Sequence, residues 1–143
     1  MDRPQALPLT ISMGEAINGT GWYAPERHGS ISFRWSGPEC VASVDFSVSA
    51  ASIEIIRFEV LHCTPVAQRR SLKVYLGEHP VPLRKESESE HATVFNAAVD
   101  GSGLKGKYAS LRFIVDDTFC PAEVGNNTDT RKLGIALSWI ELF

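Results

Sequence analysis

The sequence predicts an all-β protein, a two-sheet antiparallel β-sandwich of about eight strands, jelly-roll-like in topology, with residues 1–143 as a single domain. Three observations predict it. Short apolar-polar runs recur along the chain, separated by Gly, Pro, Asn and Asp clusters. No stretch sustains the apolar period of a helix. From Val41 the chain alternates strictly, setting Ala42, Val44, Phe46 and Val48 against Val41, Ser43, Asp45 and Ser47, and the first set is the core face.

Taken in order, residues 7–13 read as a first strand. A glycine-rich, aromatic loop at 18–28 leads into a second at 29–35, with Ile31, Phe33 and Trp35 on one side, which assigns Trp35 to the core. The third begins near Cys40. Residues 52–63 carry the strongest signal, with Ile56, Phe58 and Val60 on one side; the adjacent Ile55 and Ile56 break the alternation and predict a bulge or burial on both faces. Leu72, Val74 and Leu76 precede Gly77-Glu78-His79-Pro80, and the chain resumes at Val81 in a short return strand, the pattern of a hairpin.

The charged segment 84–91 reads as a solvated loop or a blunted sheet edge. Residues 93–99 and 109–115 supply two more strands around a glycine-rich turn at 100–106. That turn is no phosphate cradle, because no helix pattern follows it. A long polar connection at 116–130 comes next, and loops of this length inside a compact domain are functional or tightly self-packed. The last strand, 133–143, is expected to set Ile135, Leu137 and Trp139 on one face and Ile140 and Leu142 on the other, as a central strand covered on both sides.

A chain of 143 residues buries roughly two-thirds of its unfolded surface on folding, so it needs no disulfide or metal staple. Its net charge of -3 leaves no broad basic field for a phosphate backbone, which argues against nucleic acid as a partner. No membrane span is expected, since no apolar run approaches about 18 residues. Residues 1–8 lack the apolar core of a signal peptide, so the chain is expected to be cytoplasmic, or one domain of a longer polypeptide.

Cys40, Cys63 and Cys120 show no zinc or redox spacing and read as small buried thiols. A Cys40–Cys63 disulfide is the alternative if the chain is exported. Asn18-Gly19-Thr20 and Asn126-Asn127-Thr128 match the glycosylation pattern but read as turn residues. The histidines at 28, 62, 79 and 91 are scattered, with no metal-ligand spacing and no nucleophile in the motif, and His62 reads as a packed or rim residue. No cofactor, metal or catalytic residue is assigned.

Two polar, aromatic loops stand out at opposite ends of the chain. One holds Gly21-Trp22-Tyr23-Ala24-Pro25-Glu26 and leads to Arg34-Trp35-Ser36-Gly37-Pro38; the other holds Asn127, Asp129-Thr130-Arg131 and runs into Leu133-Gly134-Ile135-Ala136-Leu137. With the middle Val-Tyr-Leu-Gly turn and Pro121-Ala122-Glu123, this pattern resembles a β-sandwich module attached to bacterial glycosyltransferases and other proteins of cell-surface polysaccharide assembly. The resemblance covers residues 21–142, and its most specific part is the Asp-Thr-Arg-x-Leu-Gly signature at 129–134. It implies an accessory, non-catalytic domain whose ligand is a carbohydrate, an oligosaccharide or polysaccharide, and whose partner is a glycosyltransferase.

The residue chemistry supports that expectation independently. A pyranose has an apolar C–H face that stacks on an aromatic ring and a belt of hydroxyls that pairs with carboxylates, amides and guanidinium groups. Trp22 and Tyr23 are the expected platform; Glu26, Arg34, Asn127, Asp129 and Arg131 are the expected polar contacts. Structural roles compete for the same residues: Trp22 covering the end of the sandwich, and the Asp129–Arg131 pair cross-linking the two loops. Two other functions remain open. A docking or spacer module for a glycosyltransferase would use a sheet face, and a glycan hydrolase would use Glu26 and Asp129 as carboxylates about 5–10 Å apart.

Overall fold

The computed structural model describes residues 6–125 and 127–143. The expectation for the first five residues, and Asn126 of the second Asn-x-Thr pattern, lie outside them. The described strands are β1 (Leu9–Ser12), β2 (Gly19–Thr20), β3 (Glu26–His28), β4 (Ile31–Trp35), β5 (Val41–Ser49), β6 (Ile55–Leu61), β7 (Lys73–Leu76), β8 (His79–Val81), β9 (Arg84–Glu88), β10 (Ala92–Ala98), β11 (Tyr108–Ile114) and β12 (Ala136–Leu142). Two short helices, α1 (Val66–Ser71) and α2 (Pro121–Val124), connect them. Neither is long enough to print a helical period on the sequence.

The strands form two antiparallel sheets. In the larger, β4, β12, β6 and β10 lie side by side; in the smaller, β5, β11, β7 and β8 do. From β4 onward the chain crosses between the sheets at every link except the β7–β8 and β9–β10 hairpins, and this is the strand order of a jelly roll. The predicted sandwich is therefore the observed one. The remaining strands are short edge pieces: β3 beside β4, β9 beside β10, β2 beside β5, and β1 sharing with β4 one edge of β12.

The main core lies between the sheets, where period-two alternation buries one face of each strand. Ala42, Val44, Phe46 and Val48 are buried, as are Ile56, Phe58 and Val60 opposite them. Phe58 stacks on Phe95 of the neighbouring strand at 5.4 Å and meets Phe113 of the other sheet edge-on at 5.2 Å, so one ring joins both layers. All of β9 is exposed and four of its five residues are charged, which makes the 84–88 segment a blunted sheet edge.

Several expectations are corrected. Ile55 is 41% exposed and pairs in register with Ala98, so the Ile55–Ile56 pair is neither a bulge nor buried on both faces. Two-sided burial falls at the other end of β6, where Val60 and Leu61 enter different apolar clusters. The bulge lies in β12. Leu137 opposes Val60 and Trp139 opposes Glu59, which leaves Ser138 as the extra residue. Its hydroxyl donates to the Glu59 carboxylate at 2.7 Å and its carbonyl accepts the Met13 N–H at 2.9 Å.

The bulge reverses the predicted facing of the last strand. Ile140 and Leu142 join Ile135 and Leu137 in the main core, and Trp139 turns outward. Gly19 and Thr20 form an edge strand rather than a turn. No cysteine is buried: Cys63 is exposed, Cys40 and Cys120 are half-buried, and all are free thiols. Cys40 precedes β5 and Cys63 follows β6, so each lies just beyond a strand end. Among the described residues no helix is long and apolar enough to cross a membrane.

Candidate functional site

The outer face of the larger sheet carries a second apolar cluster: Phe33 and Trp35 of β4, Leu61 of β6, Ala136 of β12, and Leu133. An exposed sheet face with this composition needs a cover, and the long connection supplies it. Phe119 packs edge-on against Trp35 at 5.5 Å, while Phe119 and Leu133 exchange both backbone hydrogen bonds at 2.8 Å. Of the two readings for a long loop, self-packing describes its Phe119 half and an open polar rim its other half.

Three of the four segments that carry the resemblance meet at this cover, while Val74–Gly77 lies in the smaller sheet. Gly134 N–H donates to the Ser36 carbonyl and Ile135 N–H to the buried Ser36 hydroxyl, both at 2.8 Å. Gly37 N–H donates to the Gly21 carbonyl at 2.9 Å, and the Tyr23 hydroxyl donates to the Lys132 carbonyl at 3.0 Å. Gly37 adopts φ +141° with Lys132 and the Tyr23 ring against it, so a side chain there would meet both strain and collision.

Local turn chemistry then aims the charged groups. Asn127 Oδ1 accepts the Asp129 N–H at 2.8 Å and Asp129 Oδ1 accepts the Arg131 N–H at 3.0 Å, two successive turns closed by side chains. The Arg131 guanidinium is left pointing back along the hook. Its Nε and Nη2 donate to Asp129, the latter at 2.8 Å, its Nη1 donates to Glu26 of β3 at 2.9 Å, and it lies 5.1 Å from the Tyr23 ring centroid. Arg131 thus cross-links the two loops.

The charges reinforce one another. The Arg131 side chain, then its backbone N–H, hold the Asp129 carboxyl below the usual carboxylate range, and Asp129 and then Glu26 raise the guanidinium further. Because Asp129 titrates lower when folded than when unfolded, its contribution is fully present above the ordinary aspartate pKa of about 3.9 and is lost as pH falls through the depressed value. The expected result is a hook that stays closed at pH 5 and loosens only under stronger acid, read from the Arg131 Nε signal by NMR. In Asp129→Asn that acid transition should be absent.

Between the triad and the sheet lies an open groove of about 530 Å³. Ile31, Phe33, Trp35, Leu61, Phe119 and Leu133 form its apolar side; Glu26, Asn127, Asp129 and Arg131 form its polar rim, with His28, Cys63 and His91 beside them. The Cys63 thiol is pushed up chiefly by desolvation of its sulfur, against the lowering effect of the Cys63 and Thr64 backbone N–H groups and with a smaller contribution from the Glu26 carboxylate. Among the described residues no group of three or more His, Cys, Asp or Glu is placed to hold a metal ion. The groove offers apolar contact beside charged hydrogen-bonding groups.

The sequence-predicted residues therefore separate. Glu26, Asn127, Asp129 and Arg131 converge on the groove. Tyr23 braces Arg131 from outside the lining. Arg34 points elsewhere, donating to the carbonyls of Met13 at 2.8 Å, Glu15 at 2.9 Å and Tyr23 at 3.3 Å, and it ties the end of β1 to β4. Trp22 donates its indole N–H to the Ser43 carbonyl at 2.9 Å and meets Phe113 edge-on at 5.9 Å, so it covers the main core and does not line the groove.

His28, Ile31 and Phe119 were not anticipated as lining. The signal available for Phe119 was a lone aromatic inside a long polar connection. His62 is a packed rim residue, as read, with its Nε2 2.7 Å from the Thr93 hydroxyl. No protein-family model matches the chain, and no curated protein matches it in sequence.

Proposed function

We propose that this domain is a non-catalytic carbohydrate-binding module, and that an oligosaccharide or polysaccharide seats in the groove under the Glu26–Arg131–Asp129 triad. The observation that carries the reading is the division of the groove into an apolar side and a charged, pre-oriented rim. That division matches the two faces of a pyranose: C–H groups against Ile31 and Phe119, hydroxyls against the carboxylates, the Asn127 amide and the guanidinium. The volume lies within the roughly 300–1,000 Å³ of small-molecule sites. Holding Arg131 between two carboxylates fixes the rim before a ligand arrives and lowers the ordering cost of binding.

The biological setting in this proposal rests on the motif resemblance: an accessory role in synthesis or modification of bacterial cell-surface polysaccharide, at the cytoplasmic side, in company with a glycosyltransferase. Convergence of Glu26 from one motif segment with Asn127, Asp129 and Arg131 from another on one rim supports that use of them. The hydrolase reading is not favoured. Glu26 and Asp129 are both bonded to one guanidinium, which occupies the space between the carboxylates that a scissile bond would need.

The test is a binding screen of the purified domain against bacterial surface glycans, with Ile31→Asp and Trp22→Phe run beside it. Ile31 is 40% exposed, so a charge there alters the groove with little effect on folding. Saturable binding weakened about tenfold or more by Ile31→Asp and unchanged by Trp22→Phe is the expected result. A blank panel from a folded domain would reject the proposal and move the weight to docking.

A further inference from the structure

A second groove, of about 450 Å³, lies on the same outer face of the larger sheet, and Ile31 lines both. Its wall includes the indole of Trp139, the carboxylates of Glu59 and Glu141, and the hydroxyls of Ser12 and Ser138. Trp139 reaches this face only because of the Ser138 bulge; in a regular strand it would alternate with Leu137 and Ile140 in a different sense and enter the core. One face of the ring is covered by a guanidinium. Arg57, which does not line the groove, stands 5.4 Å from its centroid and is itself clamped by Glu86 and Glu141.

We propose that the two grooves are consecutive subsites of one cleft, that Trp139 is the stacking platform of the second, and that the cleft takes a chain of neutral or amino sugars rather than an acidic glycan. This inference rests on the carbohydrate reading of the first groove. A single sugar needs only one groove, whereas two that meet at the half-exposed Ile31 fit successive units of a chain. An aromatic ring beside hydroxyls and carboxylates is the same pairing of stacking surface and hydrogen-bonding groups that the first groove provides with Phe119 and its rim.

The charge argument sets the ligand class. Glu26 and Asp129 in the first groove and Glu59 and Glu141 in the second face the cleft, against the single lining guanidinium of Arg131. Arg57 lies outside the lining and is shared between Glu86 and Glu141. A uronate or phosphate-bearing chain would bring like charge to these carboxylates. A neutral chain donates its hydroxyl hydrogens to them, and an amino sugar adds attraction.

The experiment is calorimetric titration of the whole chain with β-1,4-linked oligomers of glucose, N-acetylglucosamine and glucosamine, dimer to hexamer, and with galacturonate oligomers. Wild type and Trp139→Ala are compared, with Arg131→Met as the first-groove variant, since Arg131 lines that groove and not the second. Expected are binding of a neutral or amino series, an affinity that rises about tenfold or more from dimer to hexamer, and loss of most of that rise in Trp139→Ala while dimer affinity is kept. Galacturonate binding tighter than the neutral series, a wild-type plateau at the dimer, or a length dependence untouched by Trp139→Ala would overturn the inference and leave the first groove standing. Absence of binding by every oligomer would overturn both.

Discussion

Phe58→Ala is expected to remove about 3–5 kcal/mol of stability, the cost of deleting a large ring from a packed core. Phe58 is fully buried, stacks on Phe95 within the larger sheet and meets Phe113 across the sandwich. The cavity left by truncation would open between the two layers, where backbone pairing on both sides prevents collapse. Whole domains are stable by only about 5–15 kcal/mol. The variant should therefore show a much lower denaturation midpoint or fail to accumulate folded. Ile55→Ala, on the exposed start of the same strand, should stay within about 0.5 kcal/mol of wild type. A loss below about 1 kcal/mol for Phe58→Ala, measured by urea unfolding, would mean that the two sheets do not share this ring.

Arg131→Met is expected to weaken glycan binding about 10- to 100-fold while lowering fold stability by about 1 kcal/mol or less. The asymmetry follows from position. Arg131 is about a third exposed, so solvent screens its ion pairs and limits their worth to folding. Its backbone N–H still closes the turn on Asp129 in the variant. Without the guanidinium, Glu26 and Asp129 are left as like charges across the rim and the fixed hydrogen-bonding geometry is lost. Arg131→Lys should not restore binding, because a point charge cannot donate to both carboxylates with the planar fork. Melting and binding measured on the same preparation separate the two effects. A large drop in melting temperature with binding intact would make Arg131 a loop cross-link alone.

Much of the fold was legible because the core strands obey a two-residue period. Ala42 to Val48 and Ile56 to Val60 announce their buried face by composition, and eight such runs with turn residues between them already imply a sandwich. The facing of β12 was not legible. A one-residue bulge at Ser138 is fixed by its hydrogen bonds to Glu59 and Met13, which lie in strands far away in sequence. For the same reason Trp139 was placed in the core, although it faces the second groove.

At the site, Glu26, Asn127, Asp129 and Arg131 were readable as a polar hook and its partner loop. Trp22 and Arg34 were not separable from them by residue type. Their burial depends on the Ser43 carbonyl and on the backbone at Met13 and Glu15, contacts that composition does not encode. Ile31 and Phe119 gain their position beside the rim only when the 116–130 connection folds over the outer sheet face.

On the proposed function, glycan binds the outer face of the larger sheet and leaves the smaller sheet free. The most direct test is a two-dimensional amide and indole NMR titration with the tightest-binding oligosaccharide of the panel. Concentration-dependent shifts are expected at the amides of Ile31, Cys63, Asn127 and Leu133 and at the Trp139 indole, with the Trp22 indole and the exposed Val41 and Tyr108 of the smaller sheet unmoved. Shifts gathered on Trp22, Val41 and Tyr108, with the groove residues silent, would contradict it.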